Sequence, residues 1–226
     1  MTELTSHLVD PARVAAALAP FIAEERRARI EAVLSRRLGG LTVVLENLHD
    51  PHNGAAALRS CEAAGVQSVH VVEAAERFRF SSKVTQGCER WLSLHRHVST
   101  AEAARALRAA GFVLAAAVPD APTGPEGLDA AQPLALWFGN EHDGLSAQAR
   151  AAADVTFALP MVGMTRSLNL SVAVALGVVE LSARRRAALG APGDLDAETR
   201  SRLRARFYLE DVRGAEAVLR RAGILR

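Results

Sequence analysis

Three stretches of this 226-residue chain combine glycine, proline and uncharged polar residues in ways that a plain hydrophobic core does not require. The first covers residues 46–54, where an apolar run ends, Pro51 turns the chain, and Asn53 occupies the position expected for a helix N-cap. A helix starting there would aim its N-terminus and Arg59 at an anion or a ribose. By itself, this stretch favours a simpler explanation, in which Asn53 caps the helix and Arg59 pairs with Glu62 at the surface.

The second stretch covers residues 136–146, where an apolar run leads into a polar turn between Gly139 and Gly144. Ser146 then stands where it can cap the next helix. Ligands of open parallel sheets bind at the carboxyl ends of strands, so such a turn is well placed for a binding site. Read alone, it is more simply an ordinary strand-to-helix connection.

The third stretch, residues 159–173, is the most informative one. A strand is followed by a loop with Met161 and Met164, after which Ser167 and Asn169 precede the most hydrophobic helical run of the chain. Polar residues at the start of a buried helix need hydrogen-bond partners. Backbone groups of this loop can hold the edge of an adenine, with the methionines beside its ring. The alternative is capping by Ser167 with the methionines filling the core.

Composition and motifs exclude several classes of function. The formal net charge is +2, and Lys83 is the only lysine, so the cations are almost all guanidinium groups, which grip phosphate well. A GC-rich genome would give the same arginine count. The chain has no G-x-G-x-x-G, P-loop or G-x-S-x-G motif and no metal-ligand spacing, which argues against nicotinamide-dehydrogenase, P-loop, serine-hydrolase and metal chemistry. Two distant cysteines and no long apolar run predict a soluble cytoplasmic protein without membrane or metal.

Alternating apolar and helical patterns predict an α/β domain whose mostly parallel sheet has helices on both faces. Strands are predicted at residues 42–45, 69–72, 112–118, 134–138 and 156–159. Helices are predicted at residues 55–64, 81–91, 101–110, after Ser146 and at 168–189. Gly39 and Gly40 are expected to end a helical N-terminal extension. This divides the chain into an RNA-binding extension (1–40), a central domain (41–190) and an arginine-rich helical extension (191–226).

In this order, the three stretches resemble the motifs of the SPOUT methyltransferases, in particular the SpoU (TrmH-type) branch that forms ribose 2′-O-methyl groups in RNA. The spacing of Asn53 and Arg59 is similar to the first motif, Phe-Gly-Asn-Glu at 138–141 to the second, and residues 160–173 to the third. The third motif is the most specific of them.

The resemblance implies an α/β domain whose C-terminal part is threaded into a deep trefoil knot, a rare exception to the usual chain paths. It also implies a homodimer, because the knot loops of the family bind the cofactor and pack against a second subunit. The nearly all-apolar run after Leu168 fits such a contact. The implied cofactor is S-adenosylmethionine, which leaves as S-adenosylhomocysteine. Residues 29–34 and 45–53 are most similar to family members that methylate a D-loop guanosine of tRNA.

The positions in these motifs imply three sets of site residues. The catalytic set is Arg59, Asn53, Glu141, Ser167 and Asn169. The cofactor-binding set is Ala116, where the family often has a threonine, with Gly139, Leu159, Met161, Met164 and Leu168. RNA contact is expected from Arg26, Arg29, Arg36, Arg37 and Arg166, and also from Arg77, Arg79 and Lys83. Because arginine is a poor base, we expect Arg59 to bind phosphate or the 2′-oxygen and stabilise developing negative charge.

Two alternatives remain open. The motifs report chemistry and not substrate, so a ribosomal-RNA 2′-O-methyltransferase is the first alternative, although the lack of a separate N-terminal RNA-binding domain favours tRNA. The second is a catalytically silent RNA-binding module on the same fold. The presence of every catalytic motif residue speaks against that second alternative.

Overall fold

The structure of this protein is a computed structural model that describes residues 10–73, 82–140 and 142–225. The predicted site residues Glu141, Arg77 and Arg79 lie outside the described residues. The described chain forms two compact units, a sheet unit spanning Leu38–Ala191 and a terminal unit made of the residues before and after it. The described residues on either side of the sheet unit therefore belong to the same unit.

The helices are distributed over both units. They are α1 (Pro11–Leu18), α2 (Glu24–Leu34), α3 (Pro51–Ala64), α4 (Ser82–Thr85), α5 (Thr100–Ala109), α6 (Ala147–Ala152), α7 (Leu170–Leu189), α8 (Ala197–Asp211) and α9 (Ala215–Arg221). In the terminal unit, α1 packs against α8 and α9, and α2 packs against α8. Arg26 pairs with Asp211 at 2.7 Å, and Arg204 pairs with Glu31 on α2.

The sheet unit is built around a six-stranded sheet among the described residues. Its strands are β1 (Leu38–Glu46), β2 (Val66–Val72), β3 (Ser93–His97), β4 (Val113–Ala117), β5 (Leu134–Phe138) and β6 (Val155–Phe157). Their order is β3-β2-β1-β5-β4-β6, and each described pairing is parallel. The strand order reverses next to β1, which is where parallel sheets form ligand clefts. The predicted α/β class with a mostly parallel sheet is confirmed.

Helices cover both faces of this sheet. On one face, Leu58 of α3 and Val178 of α7 join the core around Val43 of β1. On the other face, Leu107 of α5 joins the core around Trp137 of β5. Burial on both faces explains why the central strands read as continuous apolar runs rather than as alternating patterns.

Two features at the sheet differ from the predictions. Strand β3 was not predicted, because it is an edge strand with exposed His95 and Arg96 and therefore lacks an apolar run. Gly39 and Gly40 do not end a helical extension but lie inside β1, which begins at Leu38. The backbone nitrogen of Leu38 donates to the carbonyl of Gly65 at 2.8 Å, just before β2. This pairing with the neighbouring segment outweighs the tendency of two glycines to interrupt regular structure.

Candidate active site

A cavity of about 320 Å³ opens beyond the carboxyl ends of β4 and β5. Its size lies within the range of small-molecule sites, and its position follows the rule for open parallel sheets. The wall residues come from the ends of two strands, the loops that follow them, helix α6, the loop before α7 and the first turn of α7. They are Ala117, Val118, Pro119, Phe138, Gly139, Asn140, His142, Asp143, Gly144, Leu145, Arg150, Leu159, Met161, Ser167, Leu168, Leu170 and Ala173.

The loop after β5 forms a tightly built wall of the cavity. A Cβ atom at Gly139 would lie 2.0 Å from the carbonyl carbon of Gly144, so a side chain does not fit there. The side-chain oxygen of Asn140 accepts hydrogen bonds from the backbone nitrogens of His142 (2.8 Å) and Asp143 (2.7 Å). Ser146 caps α6, as predicted, by accepting from the backbone nitrogen of Ala149. The motif residues thus shape this wall through their own local contacts.

The cofactor-binding predictions fall into two groups. Gly139, Leu159, Met161 and Leu168 line the cavity. Ala116 is fully buried in the core on the α5 face, and its neighbour Ala117 lines the cavity. Met164 is 101% exposed and is not a lining residue of the described cavity.

The N-cap of helix α3 lies three residues earlier than the sequence suggested. Asp50 is its N-cap, accepting from the backbone nitrogen of His52 at 2.8 Å, and Pro51 follows at the first helical position, where a missing N–H costs little. The hydrogen bond from His52 lowers the pKa of Asp50, which keeps the capping group charged. The prediction that Asn53 caps this helix is wrong, because the Asp50–Pro51 pair starts it earlier. Asn53 lies in the first turn.

The first and third motifs meet through two amide side chains. The Nδ2 of Asn169 donates to the Oδ1 of Asn53 at 3.0 Å. The Oδ1 of Asn169 caps α7, accepting from the backbone nitrogens of Ser171 (2.9 Å) and Val172 (3.4 Å). This occupied oxygen leaves the amide nitrogen to face Asn53. Asn169, and not Ser167, is therefore the cap of α7, and Ser167 lies on the cavity wall.

Arg59 lies away from this contact. It follows Asn53 by six positions on α3, which puts the two side chains about 120° apart around the helix. The exposed Arg59 side chain donates to the carbonyl of Val84 at 3.3 Å, and Arg59 is not a lining residue of the described cavity. The structure therefore brings Asn53 and Asn169 together and places Ser167 on the cavity wall, whereas Arg59 stands on another side of α3.

Helix α7 carries apolar side chains on two opposite faces. Val174 and Val178 are buried against the sheet. On the outer face, Leu176 is 51% exposed and Val179 is 60% exposed. These residues line a shallow groove that also includes Ser60, the neighbour of Arg59 on α3. The structure therefore leaves an apolar surface beside the predicted catalytic arginine.

The arginines predicted to contact RNA have different environments. Arg29, Arg36 and Arg166 are exposed. Arg26 pairs with Asp211. Arg37 is 1% exposed, so its guanidinium has no surface to offer a phosphate, and the expectation of direct RNA contact does not hold for it in this conformation.

The described part of the chain contains neither a candidate metal site nor a candidate membrane-spanning helix. No group of three or more His, Cys, Asp or Glu residues there is placed to hold a metal ion. None of the helices in residues 10–73, 82–140 and 142–225 is both long and apolar enough to cross a bilayer.

Comparison with curated proteins gives relatives with one shared activity in their names. The tRNA (guanosine(18)-2′-O)-methyltransferase of Thermus thermophilus is 41% identical over 163 residues, which is 72% of this chain and 84% of that protein. The protein of the same name from Borreliella burgdorferi is 33% identical over 202 residues, covering 89% of this chain and 92% of its own length.

Solved structures and a family profile agree with these relatives. A TrmH/SpoU tRNA modifying enzyme from A. aeolicus superimposes with a TM-score of 0.73 at 27% identity, covering 84% of this chain and 98% of that chain. The SpoU methyltransferase AviRb from Streptomyces viridochromogenes, solved in complex with AdoMet, has a TM-score of 0.60 at 28% identity and covers 68% of this chain and 62% of that chain. The profile of the SpoU rRNA Methylase family matches residues 40–179. The chain therefore belongs to the SpoU rRNA methylase family.

Proposed function

We propose that this protein transfers a methyl group from S-adenosylmethionine to the ribose 2′-hydroxyl of guanosine 18 in tRNA. Relatives of that name cover most of the chain at 33–41% identity. The observation that carries the proposal is the Asn169–Asn53 hydrogen bond, which joins the first and third motifs next to Ser167 and Leu168 on the cavity wall. Substrate and cofactor groups held at these two motifs would lie close together.

The cavity suits a nucleoside better than a nucleotide. Among its described lining residues are the apolar side chains of Phe138, Leu159 and Met161, which can enclose a purine ring. Arg150 is the only lysine or arginine in that lining, and it already pairs with Asp120 at 3.7 Å, so a chain of phosphates would find little positive charge. Gly139 lines the cavity without a side chain, so its backbone groups can bind the adenine and ribose.

Bound S-adenosylmethionine would supply a methyl group on a positively charged sulfur, ready for in-line attack by the ribose oxygen. Aligning the reacting groups is worth on the order of 7–11 kcal/mol, so the protein can act mainly by positioning. Arg59 binds the RNA phosphate or the 2′-oxygen and stabilises the developing negative charge, because a guanidinium holds its protons too tightly to be a base. Asn53, Asn169, Ser167 and Glu141 complete the catalytic set.

A homodimer completes each site in this proposal. The exposed face of α7 offers Val172, Leu176 and Val179 to a second copy, and Ser60 lies in the same groove. A partner seated there would approach the α3 segment that carries Arg59. Arg59 of one protomer then serves the cavity of its partner, which explains why it lies outside the cavity of its own chain. We also propose that residues 159–189 pass through the trefoil knot of the family.

Contact with tRNA falls to the exposed arginines Arg29, Arg36 and Arg166. Each phosphate contact would make binding more sensitive to salt. Arg26 can join them if tRNA displaces Asp211. We place this reaction in the cytoplasm, without a metal ion.

The test is methyl transfer from labelled S-adenosylmethionine to an unmodified tRNA transcript, followed by mapping of the ribose methyl group. The control transcript carries 2′-deoxyguanosine at position 18 and differs by one oxygen. The proposal predicts label at guanosine 18 of the first transcript and none in the control. Equal labelling of the two transcripts, or none in either, would contradict it.

Ribosomal RNA is the second candidate substrate, because the matching profile is that of an rRNA methylase family. The same assay with protein-free ribosomal RNA separates the two. Rapid labelling of a single ribose there, with none in tRNA, would favour this second candidate.

A further inference from the structure

The last residue of β1, Glu46, carries a carboxylate that is 1% exposed. Its Oε1 accepts hydrogen bonds from the hydroxyl of Thr100 at 2.5 Å and from the hydroxyl of Ser146 at 2.9 Å. Its Oε2 accepts from the backbone nitrogen of Ser146 at 2.9 Å. A buried carboxylate is costly unless it is hydrogen-bonded, and these contacts therefore fix both partners firmly to the end of β1.

The two partners sit at different places relative to the cavity. Ser146 is the N-cap of α6 and directly follows the part of the cavity wall formed by residues 139, 140 and 142–145. Thr100 is the first residue of α5, and it is not a lining residue of the described cavity. The start of the wall is held by β5 in the sheet, so the Ser146–Glu46 bonds hold its other end.

Glu46 also stands immediately before the segment that leads to Asn53. The next residue, Asn47, has a φ of +50°, so the chain turns sharply out of the strand there. One residue thereby connects the cofactor wall to the segment that delivers the first motif. Glu46 itself is not a lining residue of the described cavity, so any effect on the reaction must pass through the groups it holds.

We propose that Glu46 is a positioning residue that sets the distance between the cofactor wall (residues 139, 140 and 142–145) and β1. The inference rests on the proposed function, because it concerns the binding of S-adenosylmethionine. A glutamine at this position keeps the shape of the side chain but has only one accepting oxygen. Its amide oxygen can still accept from the backbone nitrogen of Ser146, and its amide nitrogen can donate to the hydroxyls of Thr100 and Ser146, but these bonds lose the charge assistance of the carboxylate, so the end of the wall would be held less firmly.

The test compares three variants by their KM for S-adenosylmethionine, KM for tRNA, kcat and thermal midpoint. Glu46→Gln should raise the KM for S-adenosylmethionine about tenfold, since it disturbs hydrogen bonds to a charged group, and leave the KM for tRNA unchanged. Ser146→Ala removes one of these bonds and should raise the same KM about threefold. Thr100→Val is the matched control, because it removes a Glu46 bond that does not reach the wall. It should lower the thermal midpoint and leave the KM at the wild-type value.

A Glu46→Gln protein that melts earlier but keeps the wild-type KM for S-adenosylmethionine would overturn the inference, because Glu46 would then serve stability alone. If Glu46→Gln does not fold, the same comparison is made with Ser146→Ala. A wild-type KM for S-adenosylmethionine in that variant would overturn the inference. A wild-type protein that binds no S-adenosylmethionine in a calorimetric titration would instead overturn the proposed function, and this inference with it.

Discussion

The two sides of helix α3 differ in how much of the proposed site a single chain forms there. On the side of its first turn, Asn53 is hydrogen-bonded to Asn169, whose chain neighbours Leu168 and Leu170 line the cavity. On the side of Arg59, the side chain is exposed, and the neighbouring face of α7 presents Leu176 and Val179 to solvent. We infer that the cofactor half of the site is built by a single chain and the arginine half by a pair.

The difference has a physical cause. The cavity walls are held by hydrogen bonds and close backbone contacts between residues of the same chain, as at Gly139 and Asn169. The outer face of α7 has apolar side chains without a covering layer among the described residues, and such a patch is typical of an interface. Variants on the two sides should therefore fail in different ways.

The largest effect is expected at Arg59. Arg59→Ala removes the group that we propose stabilises developing charge and should lower the single-turnover rate roughly 10³-fold. Binding of S-adenosylmethionine should stay at the wild-type level, because Arg59 is outside the cavity. Rapid-quench methylation together with calorimetry measures both quantities. A large loss of cofactor binding in this variant would contradict the separation of the two halves.

The next effect concerns the outer face of α7. Leu176→Arg places a charge in the proposed dimer contact and should convert the protein to monomers, with a loss of activity on the order of 10²-fold. Sedimentation velocity and methyl transfer are the measurements. Val98→Arg is the matched control, since Val98 is 78% exposed at the end of β3. A fully active Leu176→Arg monomer would rule out a site shared between chains.

A smaller effect is expected at Asn169, where two variants should separate the capping of α7 from the hydrogen bond to Asn53. Asn169→Asp keeps an oxygen to cap α7 but loses the donor to Asn53, and should lower kcat about tenfold with little loss of stability. Asn169→Ala loses both contacts and should also destabilise the fold by about 1 kcal/mol. Urea unfolding and kinetics measure the pair. If the two variants are equally unstable, Asn169 does not cap α7 as the structure has it.

The smallest effect on activity is expected far from α3, at the edge of the sheet. Burial, with His95 and His97 nearby, lowers the pKa of His70 to about 3. In the folded state His70 is therefore protonated only at a lower pH than in the unfolded state. The free energy of unfolding falls as the pH drops from about 6.5 towards 3. The loss should reach about 2 kcal/mol near pH 5.

His70→Gln should weaken this pH dependence and leave kcat at pH 8 unchanged. Some dependence remains, because burial also lowers the pKa of His97. Urea unfolding at pH 7.5 and pH 5 provides the measurement. Identical pH dependence in variant and wild type would contradict the assignment to His70.

The sequence was a good guide where local chemistry decides the outcome. Strand β5 has the predicted bounds, and Ser146 caps α6 as expected. Both follow from an apolar run or a capping residue that acts over a few positions. The same reasoning misplaced the cap of α3, because Asp50 and Asn53 are both good caps and only Pro51 distinguishes them.

Long-range features could not be read in the same way. The Asn53–Asn169 bond joins residues separated by 116 positions. Burial of Arg37 and the pairing of Arg26 with Asp211 depend on how the two ends of the chain fold together. The hydrogen bonds of Glu46 likewise come from residues far along the chain, so its partners could not be read from the sequence around it.

The most direct test of the shared site mixes two inactive proteins. Arg59→Ala lacks the arginine, and Gly139→Ala fills the close approach in the cofactor wall. If Arg59 serves the partner's cavity, each mixed dimer has one site with both defects and one site with neither. Refolding the two variants together should then restore up to about a quarter of the wild-type activity, as half of the dimers each regain one of two sites. No recovery, with mixed dimers shown to form, would contradict the account.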